Sequence, residues 1–205
     1  MKPSTLNIKP PALYGLVLAG GRSTRMGEEK AAVRYHGKMQ SEHCLHLLTV
    51  CCEKSFLSVR KDQAGELAFK GLPQIHDRFV QACPLNGILS AMEAHPDAAW
   101  LVLGCDLPFV DEGVIGLLVK NRDLSRKATA YRRKDDGLPE PMCAIYEPLI
   151  APVLKRLMDE GCRSPRQALT GDDVHLIDPP GPDALININS ADEREKAKWF
   201  IKQRY

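Results

Sequence analysis

The run Leu16-Val-Leu-Ala-Gly-Gly-Arg-Ser-Thr-Arg-Met-Gly-Glu-Glu-Lys30 joins an apolar segment to a loop with two adjacent glycines and three cations. Glycine lets a backbone turn sharply and lets a ligand approach where a Cβ would block it, so Gly20 and Gly21 can aim main-chain N–H groups at an anion. Arg22, Arg25 and Lys30 add bidentate guanidinium and point-charge ammonium donors, the mixture that phosphate groups take. A nucleoside triphosphate is the ligand that suits such a loop. The spacing is neither G-x-x-x-x-G-K-[ST] nor the dinucleotide G-x-G-x-x-G. A glycine pair after a strand also serves as a plain tight turn backed by solvated charges, and the loop alone leaves both readings open.

A second constellation, Trp100-Leu-Val-Leu-Gly-Cys-Asp-Leu-Pro-Phe109, delivers one carboxylate, Asp106, at the C-terminal end of an apolar run. In open α/β sheets, ligands bind outside that edge. A carboxylate there suits Mg²⁺, which needs few protein ligands when substrate phosphates complete its shell. As an alternative, Asp106 is a simple turn residue. Cys105 has no basic partner nearby in sequence, and strand alternation turns it to the other face, so it is assigned to the core.

These residues need a scaffold, and the chain alternates strand-like with helix-like segments. Strands are expected at Tyr14–Ala19, Ser55–Val59, Leu72–His76, Ala99–Gly104, Ala128–Tyr131, Pro141–Tyr146, Val174–Ile177 and Leu185–Ile188. Between them, helices are expected at Ser41–Glu53, Leu85–Ala94, from an Asp111 cap to Lys120, at Pro148–Glu160 and, amphipathic, at Ala191–Lys202. Pro141 fits only the first residue of its strand or an edge. This rhythm is that of a doubly wound sheet. One domain over 1–205 is expected, with 1–12 a flexible leading segment.

With 44% hydrophobic residues the chain can bury a full core, and its net charge of +2 lacks the basic stripe of a nucleic-acid binder. Arg132-Arg133-Lys134 is answered at once by Asp135 and Asp136 and reads as a solvated turn. No run is long and apolar enough for a membrane span or a signal peptide, so a cytoplasmic protein with no membrane partner is expected. The seven cysteines are odd in number and lack C-x-x-C spacing, so reduced, mostly buried thiols are expected. The six histidines show no zinc spacing.

The glycine loop matches the nucleotidyltransferase signature L-A-[GA]-G-x-S-x-R-M-G-x-x-K at every fixed position, and the chain resembles the molybdenum cofactor guanylyltransferase family. The resemblance implies a three-layer, Rossmann-like α/β nucleotidyltransferase fold with a mostly parallel sheet flanked by helices. It implies that Leu18, Ala19, Gly20 and Gly21 cradle a guanine nucleotide, that Arg25 and Lys30 hold its phosphates, and that Asp106 binds Mg²⁺. His76-Asp77-Arg78 followed by Pro84-Leu85-Asn86-Gly87-Ile88 resembles D-x(n)-G-P-L-A-G-I, which makes Asp77 a nucleotide contact. Cys83 stands there for glycine and Asn86 for alanine, and Asn86 has a second reading as the cap of the next helix. Ile186-Asn-Ile-Asn-Ser-Ala-Asp-Glu193 resembles N-x-N-T-P-E-[DE], which turns Asn187 and Asn189 toward metal and phosphates, with Asn189 expected beside Asp106 on the metal.

Ser58 replaces a common asparagine and offers the base one hydrogen bond in place of an amide's pair. Leu138-Pro-Glu-Pro-Met-Cys143 resembles x-H-P-[LT]-x-A with Glu140 at the histidine position. Arg163 and Arg166 flank Ser164-Pro165, a helix start that suits the acceptor's phosphate or is an ordinary capped surface helix. The activity implied is Mg²⁺-dependent transfer of GMP from GTP to the terminal phosphate of molybdopterin, releasing pyrophosphate. The partners implied are GTP, molybdopterin or the molybdenum cofactor, and transient contacts with other molybdenum cofactor proteins. A pterin cytidylyltransferase, a sugar-phosphate nucleotidyltransferase and a catalytically silent nucleotide-binding module are the alternatives. Leu-Ala-Gly-Gly, against Leu-Ala-Ala-Gly in cytidine relatives, favours guanine, and retention of Lys30 and Asp106 favours activity.

Overall fold

The computed structural model describes residues 9–19, 32–63 and 69–204. Seven strands form one sheet in the order β3-β2-β1-β4-β6-β5-β7. They are β1 (Leu13–Leu18), β2 (Lys54–Val59), β3 (Gln74–His76), β4 (Ala99–Gly104), β5 (Ala128–Arg132), β6 (Pro139–Tyr146) and β7 (Val174–Ile177). Of these, only β6 runs against the common direction, between β4 and β5. The apolar runs of β1 and β4 have their cause here, because a central parallel strand is covered on both faces.

Alternation splits these side chains between two layers. Val17, Leu101 and Leu103 meet α1 (Gln40–Thr49) and α3 (Glu112–Lys120), whereas Leu16, Trp100 and Val102 meet α2 (Pro84–Ala94) and α4 (Ala151–Asp159). The three-layer α/β fold is therefore as expected. Gly15 lets α1 ride close over β1, since a Cβ there would meet Leu48 Cβ and Ser55 Oγ at 2.8 Å. β1 passes to β2 on one side and has β4 on the other, so the crevice between the ends of β1 and β4 is the topological switch point.

Several expectations are corrected. α1 stops at Thr49, short of Glu53, because Cys51 N and Cys52 N both turn back onto Leu48 O. Pro148–Ile150 is a 3-10 turn ahead of α4, and the helix expected over Pro148–Glu160 begins only at Ala151. Leu185–Ile188 is not a strand; Ile188 N bonds instead to Asp106 O at 2.8 Å, in the turn after β4. Pro141 sits inside β6, within the sheet. It is tolerated because pairing with β4 reaches only to Cys143, and the register with β5 slips between Ala130 and Arg132.

α5 (Ala191–Arg204) buries Ala197 and Ile201 but leaves Trp199 and Phe200 59% and 54% exposed, so its apolar residues do not gather on one face as expected. All seven cysteines are free, yet only Cys44, Cys105 and Cys143 are fully buried, because the other four lie at helix ends. Among the described residues no helix is long and apolar enough to cross a membrane.

Candidate active site

Four strand ends place the site. Leu18 ends β1 beside Ser58 of β2 and Gly104 of β4, Ala19 N donates to Ser58 O (3.2 Å), and Asp77 N donates to Val59 O (3.0 Å). Leu18, Ala19, Ser58, Asp77 and Asp106 thus lie along one carboxyl edge, as the motifs require. Gly20, Gly21, Arg22, Arg25 and Lys30 continue from this edge in sequence but lie outside the described residues.

At the β2–β3 end, Ser58 is buried and its Oγ donates to Asp77 Oδ1 (3.2 Å). Burial pushes the Asp77 carboxyl up to about 6, against the pull of the Ser58 hydroxyl, Arg60 and His76. Helix α2 closes this corner from above. A Cβ on Gly87 would collide with Ser58 Oγ and press on Leu18 Cδ2 (2.8 Å), so only glycine allows this approach.

Asn86 does not cap α2, because Cys83 occupies the N-cap. Its buried amide instead donates to Phe79 O (2.7 Å) and Gln81 O (2.8 Å) and accepts from Phe79 N (3.2 Å) and Ser90 Oγ (3.0 Å), while Ser90 Oγ also accepts from Arg78 N (2.9 Å). The loop after Asp77 is thereby stapled to α2. The sequence reading missed this role of Ser90; a buried Asn–Ser pair one helical turn apart was its available signal.

At the β4 end, Asp106 follows a glycine that must stay small, since a Cβ on Gly104 would crowd the Asp106 carboxylate and Met142. Asn187 Nδ2 donates to Asp106 Oδ2 (3.0 Å). Asn187 Oδ1 is buried with no hydrogen-bond partner among the described residues. A carboxylate and an unsatisfied amide oxygen side by side are hard-oxygen donors, and they fit Mg²⁺. Asn189, expected on the metal, is exposed and its N–H donates to Glu193 Oε2 (2.8 Å). Cys105 is buried against the Cys44 thiol, in the core as expected.

Over β5 and β6 the arginines are differently placed from the expectation. Arg133 is not part of a merely solvated turn: besides pairing with Asp135 and Asp136 it reaches the buried Glu140 (3.4 Å), whose other oxygen accepts from Met142 N (2.8 Å). Burial raises the Glu140 carboxyl, and Asp106 adds to this while Arg133 and Arg166 oppose it. Arg166 leans on Asp136 (3.4 Å) and Arg163 is exposed. The Ser164-Pro165 step they flank opens a five-residue 3-10 turn, Pro165–Leu169, capped by Ser164, and one such turn carries too little dipole to make an anion site by itself.

A polar edge across a switch point, glycines where a ligand or helix comes close, and one carboxylate paired with an amide describe a nucleotide-handling α/β enzyme. A family model for the MobA-like NTP transferase domain matches residues 15–174, and the chain belongs to that family, an enzyme of the nucleotidyltransferase class. A "Molybdenum cofactor biosynthesis bifunctional protein" of Synechocystis sp. is 34% identical over 91% of the chain, and the chain spans 54% of that relative's length. A "Probable molybdenum cofactor guanylyltransferase" of Opitutus terrae is 33% identical over 75% of each chain. The crystal structure of molybdopterin-guanine dinucleotide biosynthesis protein A from Archaeoglobus fulgidus shares the fold, with a TM-score of 0.78 at 24% identity, covering 93% of this chain and 99% of that one.

Proposed function

We propose that this chain transfers GMP from GTP to the terminal phosphate of molybdopterin. A phosphate oxygen of the acceptor forms a bond to the α-phosphorus of GTP, the bond from that phosphorus to the bridging oxygen breaks, and pyrophosphate leaves. The observation that carries the reading is the Asp106–Asn187 pair at the end of β4, on the same sheet edge as Ala19, Ser58 and Asp77. The name of the Opitutus terrae relative supports guanylyl transfer, and both relatives' names support the molybdenum cofactor as the molecule served.

In this reading Leu18, Ala19, Gly20 and Gly21 shape the nucleotide's seat, and Asp77, ionised at neutral pH, accepts from the amino edge of guanine while Ser58 orients it. Arg25 and Lys30 hold the triphosphate. Asp106 and Asn187 hold Mg²⁺, which when bound supplies positive charge to the phosphate oxygens. Because both reactants are anions, the residues act by neutralising charge and fixing an in-line geometry, with no protein nucleophile. Arg166, near Glu140, is a contact for the acceptor's phosphate, with Arg163 beyond it.

The test is pyrophosphate release by the purified chain with Mg²⁺, molybdopterin and either GTP or CTP. GTP is expected to be turned over at least about tenfold faster, and Asp106→Asn to cost about two orders of magnitude or more while the fold persists. Equal rates with CTP would remove the guanine assignment, and a fully active Asp106→Asn would reduce that carboxylate to a turn residue.

A further inference from the structure

On the face of the sheet that carries α1 and α3, away from Ser58 and Asp77, a cavity of about 1020 Å³ opens between α1, the start of α3, α5 and the Arg34–Met39 hairpin. That is at the upper end of the roughly 300–1,000 Å³ of small-molecule sites. Leu18, Ser58, Asp77, Asp106 and Asn187 take no part in its wall.

Four permanent cations line it from two separate elements, Arg34 and Lys38 of the hairpin and Lys198 and Lys202 of α5, and α1 adds histidines. Lys198 pairs with Glu195 of its own helix (2.9 Å). Of the two carboxylates in the wall, Asp111 is spent on capping α3 through Val114 N (2.9 Å) and Glu112 remains, while Lys38 and Lys202 form no ion pair among the described residues. Lys38 and Lys202, converging from separate elements on one concave surface, set up a local field for an anion.

The rest of the wall is flat and apolar. Tyr35, Phe109 and Ile201 line it, and the rings of His36 and His43 stack at 3.8 Å, 18° from parallel. Burial, with the neighbouring His36 and Lys38, holds His43 down at about 4, so its ring is neutral at pH 7. His43 Nε2 is buried with no hydrogen-bond partner among the described residues, a polar atom left for a guest to satisfy.

We propose that this cavity is a second ligand site that binds a phosphorylated planar heterocycle, its phosphate on Lys38 and Lys202 and its ring system against the histidine stack, Tyr35 and Phe109. The wall reaches Pro108, two residues beyond Asp106, but includes none of the residues of the nucleotide edge. Occupancy of the cavity is therefore read without reference to turnover.

The probe is flavin mononucleotide, followed by fluorescence titration of the full chain. It is expected to bind with a Kd below about 100 μM, and riboflavin, which lacks the phosphate, at least about tenfold more weakly. Lys38→Glu/Lys202→Glu, two surface changes whose folding is checked by circular dichroism, is expected to lose at least about tenfold in affinity, whereas saturating GTP with Mg²⁺ leaves binding unchanged. Failure of flavin mononucleotide to bind below about 1 mM, equal affinity in the double variant, or displacement by GTP overturns the proposal. Pyrophosphate competing as strongly as the flavin would overturn the heterocycle half of it, leaving an anion site alone.

Discussion

Asp77 is the residue at the sheet edge whose chemistry most depends on its setting. Burial raises its carboxyl from 3.8 to about 6. Between those values the folded chain keeps a proton that the unfolded chain has already lost, so this group makes stability fall as pH rises through the interval, with the loss complete above the folded-state value. Asp77→Asn removes the effect. Thermal unfolding of both proteins from pH 4 to 7 is expected to show the difference in Tm moving in the variant's favour up to about pH 6 and flat beyond, whereas a constant difference would mean that Asp77 titrates as an ordinary carboxyl. Ser58 and Asp77 were each singled out from the sequence, but their contact across 19 residues was not legible there, because the pairing of β2 with β3 that creates it is tertiary. Asn187 and Asn189 show the same limit. A continuous strand would put both on one face, yet the chain there is irregular, and it is Asn187 whose side chain meets Asp106.

At the scale of elements, the approach of α2 to β1 and β2 makes the corner that holds Ser58 and Asp77. Gly87 is where this packing is closest, and Gly116, in the exposed middle of α3, is its contrast, with nothing within 4 Å of an added Cβ. Gly87→Ala is expected to cost about 1–3 kcal/mol through overpacking and to weaken GTP binding by displacing Ser58. Gly116→Ala is expected to gain about 0.5–1 kcal/mol from helix propensity alone, with GTP binding unchanged. Urea denaturation and calorimetric titration of the two variants check both, and a Gly87→Ala protein as stable as its parent would show that α2 can slide away. α3 was readable to the residue because Asp111 caps it by a local bond, whereas β6 was misjudged at its start. The prolines there argue against a central strand by local rules, and only the register slip against β5 makes room for them.

Across the whole molecule the two ends of the sheet do different work. The carboxyl edge carries the polar row, Ser58, Asp77, Asp106, Asn187 and Glu140, and the opposite edge is locked. There Arg122, just beyond α3, forms a bidentate pair with Glu147 at the end of β6 (2.6 and 2.9 Å) and also donates to Pro11 O (3.1 Å), ahead of β1. Both side chains are largely buried, at 13% and 4% exposure. The alternating pattern of strands and helices foretold the layers, but no local signal pairs Arg122 with Glu147, since the two meet only once β6 has been inserted antiparallel beside β4. Removing one partner leaves a buried charge without its counterion, which costs more than the pair itself contributes. Glu147→Gln is therefore expected to lose about 3–5 kcal/mol by chemical denaturation. Arg122→Met/Glu147→Met, with neither charge left to solvate, is expected to recover most of that loss. Because the lock lies at the far end of the strands from Asp106, pyrophosphate release by the folded double variant is expected to match the parent's within about twofold. A Glu147→Gln protein within about 1 kcal/mol of the parent would show the pair to be solvated and the edge held by its main-chain bonds alone.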